Sequence, residues 1–310
     1  MKNKTYLTFV FISIFTLSAS WADDLIYAPS KAKRASEKVF FPKKFKQKKK
    51  WPLVIMLHGF TGNATGHLFY TGLGARVNKD GFILVAPEGV KNQFGEQFWA
   101  ADEFCCDWYN KGVDDLSYLT NLIDHYIENY RVDPKSVYIV GHSNGGFMAY
   151  SLACQSDSKV AGIAVISGSS TLRSTECKNK SPFSLLHIHG TSDTTIEYSP
   201  TQLFTDSLVS IFGQRFKNVD KNRSPYLGGR QLVTSYAAKF GCNEVPTEFK
   251  NLYNFTLGAK FKETDVSSWA GCQEGSKVEL WLMDQAPHSP LFHFRFKRKL
   301  IEFLFQFKLP

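Results

Sequence analysis

Short unbroken apolar runs alternate along the chain with longer stretches in which apolar residues recur every three or four positions. The runs Leu53–Leu57, Phe82–Val85, Val137–Val140, Val160–Ile166, Leu185–Ile188 and Val278–Met283 predict strands buried on both faces. Between them, Leu119, Leu122, Ile123, Tyr126, Ile127 and Tyr130 repeat at helical spacing, and the segment after Ser143 (Phe147, Met148, Tyr150, Leu152, Ala153) suits a second helix. Near the end, Phe296, Leu300, Ile301, Leu304 and Phe307 make one apolar face, with Arg295, Lys297, Arg298 and Lys299 largely elsewhere. Strands alternating with helices predict an α/β fold: a mostly parallel central sheet with helices on both faces. No repeat or long linker divides the pattern, so one domain is expected over residues 23–310.

Composition and charge bound the possibilities without choosing among them. With 43% hydrophobic and 21% charged residues in 310 positions, the chain is not disordered, and its 6 cysteines are too few for a disulfide-dense mini-scaffold. The net charge of +9 comes with no nucleic-acid-binding motif, so nucleic acid is not an expected partner. Residues 1–22 read as a signal peptide: Lys2 and Lys4, an apolar run Tyr6–Leu17, then small-x-small Ser20-Trp21-Ala22. That run is short for a bilayer, and no later segment is long and apolar enough to span one. A secreted or periplasmic protein without stable membrane insertion is expected.

Export changes the reading of the cysteines. Cys105, Cys106, Cys154, Cys177, Cys242 and Cys272 form an even set in an oxidising compartment, where disulfides are expected. Cys242 and Cys272 are the preferred pair, while adjacent Cys105 and Cys106 are each expected to find a distant partner. Two segments interrupt the α/β pattern. The basic run Lys43, Lys44, Lys46, Lys48, Lys49 and Lys50 is expected to be a solvated loop between two strands, with attachment to an anionic surface as the alternative. Residues 197–230 lack periodicity and read as an excursion from the sheet, either a lid or a plain insertion.

The sharpest local signal is Gly141-His142-Ser143-Asn144-Gly145-Gly146, directly after an apolar strand and before a helix. A hydroxyl on such a tight turn points away from the sheet, and the flanking glycines avoid collisions with neighbouring backbone. Ser143 is therefore the candidate nucleophile. Among eight histidines, His288 follows the last predicted strand and precedes the last helix, placing it over the carboxyl end of the sheet. It is the candidate base, with His293 in reserve. The orienting acid is expected between Ser143 and His288 in the chain, and Asp193 lies just beyond the strand Leu185–Ile188. Asp284 is the alternative acid, and a turn or helix-cap role is the plainer reading of Asp193.

The backbone N–H groups of Phe60, after His58-Gly59, and of Asn144 are the candidate oxyanion donors. His187, His189 and Asp193 also invite a metal reading, because residues i and i+2 of a strand share a face. No third ligand at workable spacing accompanies the two imidazoles, and Gly190 suggests close backbone packing. No metal or other cofactor is expected.

These residues sit in a wider pattern. Phe98-Trp99-Ala100-Ala101-Asp102-Glu103-Phe104-Cys105-Cys106, then Val113-Asp114-Asp115-Leu116, the Gly141–Gly146 turn with Leu152-Ala153-Cys154, and Leu186-His187-Ile188-His189-Gly190-Thr191-Ser192-Asp193 follow in order. Together they resemble the secreted polyhydroxybutyrate depolymerase and feruloyl esterase group of α/β-hydrolases, from about Leu53 to His288. The departures lie at the histidine, where Gln285-Ala286-Pro287 and Pro290-Leu291-Phe292 replace a glycine-rich approach and a Trp-Pro-Gly, and after His58-Gly59, where Phe60-Thr61 replaces Cys-Thr. The resemblance implies an α/β-hydrolase fold, esterase activity and roles for Ser143, Asp193 and His288. The expected partner is an ester: a feruloyl or acetyl group on polysaccharide, or alternatively a hydroxyalkanoate oligomer. A serine peptidase and a non-catalytic binding module are the weaker readings. Trp99, Trp108 and Phe60 are candidate walls of the acyl or aryl pocket, with core packing the competing role for Trp99.

Overall fold

All six apolar runs are strands, and they lie side by side in one sheet. The computed structural model describes residues 34–47, 50–102, 104–171, 174–199, 226–259 and 261–310. The expected signal peptide and most of the 197–230 excursion lie outside the described residues. In chain order the strands are β1 (Lys38–Phe40), β2 (Trp51–Leu57), β3 (Ile83–Ala86), β4 (Val90–Lys91), β5 (Gln97–Phe98), β6 (Val132–His142), β7 (Gly162–Ile166), β8 (Ser184–Gly190), β9 (Thr247–Tyr253), β10 (Thr264–Trp269) and β11 (Val278–Met283). Nine of them form a sheet of order β1-β3-β2-β6-β7-β8-β11-β10-β9, and β4 pairs with β5 separately. The six central strands, β3 to β11 in that order, are parallel, and β1, β10 and β9 add antiparallel edges.

The main helices among the described residues are α1 (Ala64–Thr71), α2 (Asp115–Asn129), α3 (Asn144–Ala153), α4 (Gly229–Lys239) and α5 (Phe294–Leu304). Side chains alternate across the pleat even where the strand sequence is uniformly apolar. Leu53, Ile55, Val137, Ile139, Ile163, Val165 and Leu185 pack with Leu119, Leu122, Phe147 and Leu232 of α2, α3 and α4. Val54, Met56, Tyr138, Val140, Ala164 and Leu186 pack on the other face with Ala64 of α1 and Phe296, Leu300 and Leu304 of α5. Each fully buried Leu, Ile or Phe in these two cores contributes roughly 1.5–3 kcal/mol.

Local chemistry sets the helix boundaries. The Asp114 carboxylate accepts from the Ser117 N–H at 2.9 Å and caps α2. His293, the reserve base, caps α5 and accepts from the Arg295 N–H at 3.4 Å. The basic run lies between β1 and β2, and its described lysines, Lys43, Lys44, Lys46 and Lys50, are exposed. The ends of the 197–230 excursion meet: the Gly229 N–H donates to Tyr198 O at 2.8 Å, and the Glu197 N–H to the Tyr226 hydroxyl at 2.9 Å.

Cys242–Cys272 and Cys154–Cys177 are disulfides closing separations of 30 and 23 residues. Loops of that length contribute about 3–4 kcal/mol each by restricting the unfolded chain. The expectation of distant partners for Cys105 and Cys106 is corrected: the two are bonded to each other. The other four cysteines pair among themselves; Cys105 and Cys106 are both buried, in a Trp99–Cys106 loop that folds back through Cys106 N–H to Trp99 O at 3.2 Å.

Candidate active site

The parallel strands β2, β6, β8 and β11 end at one edge of the sheet, and the chemically interesting side chains follow those ends. Ser143 stands between β6 and α3 with φ 53° and ψ −120°, a backbone conformation that L residues rarely adopt and that costs on the order of 1–3 kcal/mol. Its carbonyl accepts from the Gly146 and Phe147 N–H groups, and its own N–H donates to Ile166 O of β7 at 2.9 Å. Packing holds the turn in this shape. A Cβ on Gly141 would lie 2.1 Å from Gly145 O, and one on Gly145 only 2.3 Å from Leu57 O. Gly145→Ala must therefore force α3 away from β2, and a loss of about 2 kcal/mol is expected. It should appear in calorimetry as a fall in Tm of roughly 3–4 °C, and an unchanged Tm would remove the close-approach argument.

The candidate acid and the candidate base meet across two loops. His288 Nδ1–H donates to Asp193 Oδ2 at 2.8 Å, while the His288 ring keeps part of its surface exposed. Asp193 Oδ1 accepts from the Thr195 and Ile196 N–H groups, both at 2.9 Å. Burial pushes this carboxyl up, but the hydrogen bonds from His189 and His288 and their charges overcome it and hold Asp193 below the ordinary carboxylate range. Asp193 is thus both a turn residue and the partner of His288. Asp284, the alternative acid, is exposed and accepts from the Thr191 hydroxyl at 3.3 Å.

The two loops are tied to each other. Gln285 N–H donates to Thr191 Oγ1 at 2.7 Å, and Ser192 N–H to Ala286 O at 3.1 Å. The His288 loop is also held to the serine turn, because His142 Nε2–H donates to His288 O at 3.1 Å. Burial, with the charge of His288 adding to it, lowers the His142 pKa to about 3, so His142 serves as a neutral clamp. Sequence reasoning assigned His142 no role, although its place beside Ser143 was the available signal.

The His58-Gly59-Phe60 loop reaches the same spot. A Cβ on Gly59 would lie 3.3 Å from Ser143 Cβ, so Phe60 follows a backbone already against the serine. Asn144 is the first residue of α3, where an N–H has no partner within the helix. Its side chain is occupied: Oδ1 accepts from the Trp99 N–H and Nδ2 donates to Trp99 O, both at 2.8 Å. Trp99 has no exposed surface and its Nε1–H donates to His58 O at 3.0 Å, so the tryptophan packs in the core and braces the two loops. Trp108 is half-buried with its ring 4.8 Å from that of Phe60. His187 and His189, the imagined metal ligands, turn ring nitrogens toward each other at 3.1 Å.

A protein-family model described as phospholipase/carboxylesterase matches residues 44–226, more than half of the chain and including the strained serine. The chain belongs to this family. Membership agrees with the fold: this phospholipase/carboxylesterase relative superposes on an acetyl xylan esterase from Aspergillus awamori with a TM-score of 0.59, covering 86% of this chain and 93% of that one at 16% identity. At that identity the likeness shows the α/β-hydrolase fold. Feruloyl esterase B of Piromyces equi is 29% identical over 254 residues, 81% of this chain. Poly(3-hydroxybutyrate) depolymerase of Ralstonia pickettii is 28% identical over 124 residues, 37% of this chain. The chain spans well under two thirds of those relatives, 42% and 25% of their lengths.

Proposed function

We propose that the chain is an exported serine carboxylic-ester hydrolase working through Ser143, His288 and Asp193, with feruloyl or acetyl esters of polysaccharide as substrates. The observation that carries this reading is the 2.8 Å bond from His288 to a twice amide-bonded Asp193, in a loop that His142 ties to the turn holding Ser143 at φ 53°. In the reaction His288 takes the Ser143 proton as the oxygen attacks the ester carbonyl, and Asp193 stabilises the resulting imidazolium. The N–H groups of Asn144 and Phe60 receive the oxyanion, a contribution of roughly 3–4 kcal/mol per well-placed donor. The alcohol leaves with the proton from His288, and water activated by the same imidazole releases the acid. Phe60 and Trp108, a half-buried aromatic pair, suit an aryl or acyl group.

Export is supported by the three disulfides, which belong to an oxidising compartment. Among the described residues no helix is long and apolar enough to cross a membrane. The whole of residues 23–310 is proposed as one catalytic domain, with 197–230 as its insertion.

A hydroxyalkanoate oligomer is the second substrate reading, favoured by the depolymerase similarity. The polysaccharide ester ranks first because the feruloyl esterase similarity covers 81% of the chain and the depolymerase similarity 37%. A panel of methyl ferulate, acetylated xylan, hydroxybutyrate oligomers, p-nitrophenyl esters and a peptide amide decides between them. Methyl ferulate or acetylated xylan is expected to exceed the oligomers in kcat/KM by about tenfold, roughly 1.4 kcal/mol of differential transition-state binding. The reverse order would transfer the assignment to the polyester, and turnover confined to the peptide amide would end both.

A further inference from the structure

Beyond His288, Asp193 has a second histidine at its other side, and that histidine begins a buried chain. His189 Nε2 lies 2.7 Å from Ile196 O and 3.2 Å from Asp193 Oδ2. Its Nδ1 is 3.1 Å from His187 Nε2, and His187 Nδ1 is 2.9 Å from the Tyr150 hydroxyl. Tyr150 lies on α3, the helix that begins after Ser143. All three side chains are enclosed, with exposures of 0% for Tyr150 and His187 and 1% for His189. The Gly229 backbone closes over them, since a Cβ there would lie 3.0 Å from His187 Nε2.

The donors and acceptors fit together in one direction when both imidazoles are neutral. Ile196 O and ionised Asp193 only accept, so His189 Nε2 carries the proton. His189 Nδ1 is then an acceptor and takes the Nε2–H of His187. His187 Nδ1 in turn accepts from the Tyr150 O–H. Burial holds His187 well below the ordinary histidine range, and burial with the Tyr236 hydroxyl nearby holds Tyr150 well above its own, so these two groups are neutral.

The turn from Asp193 to Ile196 is where this matters. Its amides hold Asp193 Oδ1, its Ile196 carbonyl is held by His189, and Asp193 Oδ2 is shared between His189 and His288. We infer that His189 is a positioning residue for Asp193, with Tyr150 and His187 selecting the tautomer in which it donates. The inference rests on the proposed Ser143–His288–Asp193 reading. It assigns the two buried histidines a task that the triad itself does not require.

The test uses the full chain and three variants, each assayed at least about 15 °C below its own Tm. His189→Leu is expected to lower kcat for a p-nitrophenyl ester about 10- to 100-fold, with KM within twofold, because a small misplacement of a catalytic group has an effect of that size. His189→Gln, whose amide N–H can reach Ile196 O, is expected to recover kcat to within about fivefold of the parent. Tyr150→Phe is expected to lower kcat about 3- to 10-fold and to shift the downfield proton resonance of the His288–Asp193 hydrogen bond. Unchanged kcat in folded His189→Leu, failure of Gln to rescue, or a loss confined to KM would overturn the inference. If His189→Leu does not fold, parental kcat and an unmoved resonance in Tyr150→Phe overturn it instead. Ser143→Ala, run in parallel, separates the two ideas: if it stays active the triad reading fails, whereas an inactive Ser143→Ala beside a fully active His189→Leu removes only the positioning role.

Discussion

Ser143→Ala is expected to lower kcat/KM for a short p-nitrophenyl ester by about 10⁴- to 10⁶-fold while leaving the thermal transition in place. That loss corresponds to roughly 5.5–8 kcal/mol of transition-state stabilisation. The expectation follows from the position of the hydroxyl. Ser143 is held at φ 53° by backbone bonds from both sides and by glycines at 141 and 145 that admit no Cβ. Alanine has the same Cβ as serine, so it accepts the same strained backbone, and only the hydroxyl is lost. Residual hydrolysis from the oxyanion donors and binding groups remains, and it should be insensitive to covalent serine reagents. Measurement takes steady-state kinetics on both proteins and a calorimetric scan of each. Turnover within tenfold of the parent would move the nucleophile away from Ser143, and inactivity with a collapsed Tm would make the loss one of folding.

The central sheet was legible in the chain because the parallel strands are buried on both faces and read as unbroken apolar runs. The edges were not. Strand β9 (Thr247–Tyr253) is mostly exposed, and its Thr-Glu-Phe-Lys-Asn-Leu-Tyr reads as loop as easily as strand. At the candidate site, one strand-turn-helix signal put Ser143 in view, and chain order nominated Asp193 and His288, which the fold bonds to each other. The preference for His288 over His293 rests only on their places relative to the last strand and helix; His293 itself caps α5. What the chain could not express were contacts that depend on where elements cross. The pairing of Cys105 with Cys106 is one, and the approach of Tyr150 on α3 to His187 on β8 is another. The i, i+2 spacing of His187 and His189 did mark them as neighbours on one face. Only the fold shows that their nitrogens bond to each other in line with Asp193.

Histidines held neutral in the fold carry a cost in acid, and the fold is expected to lose about 4–5 kcal/mol between pH 7 and pH 5. Burial lowers the pKa of His67 and His187 well below the ordinary value and that of His142 to about 3, with neighbouring histidine charges adding to the effect. Each is neutral in the folded chain across this window, while its unfolded counterpart takes up a proton as pH falls through about 6.5. The unfolded state then binds more protons, so stability falls with pH, by about 2 kcal/mol per group at pH 5. Asp102 acts in the opposite sense. Burial raises its pKa to about 6 against the hydrogen bonds it accepts, so the folded state gains its proton first and recovers about 1.3 kcal/mol over the same window. Asp193 contributes nothing here: its folded pKa is depressed, its contribution is present above about pH 4 and is lost only below that. The expected fall in Tm from pH 7 to pH 5 is roughly 6–9 °C, read by calorimetry or circular dichroism. A Tm constant within 2 °C would mean that the three imidazoles are not held neutral. The buried chain from Tyr150 to Asp193 would then lose the neutral His187 on which its direction depends.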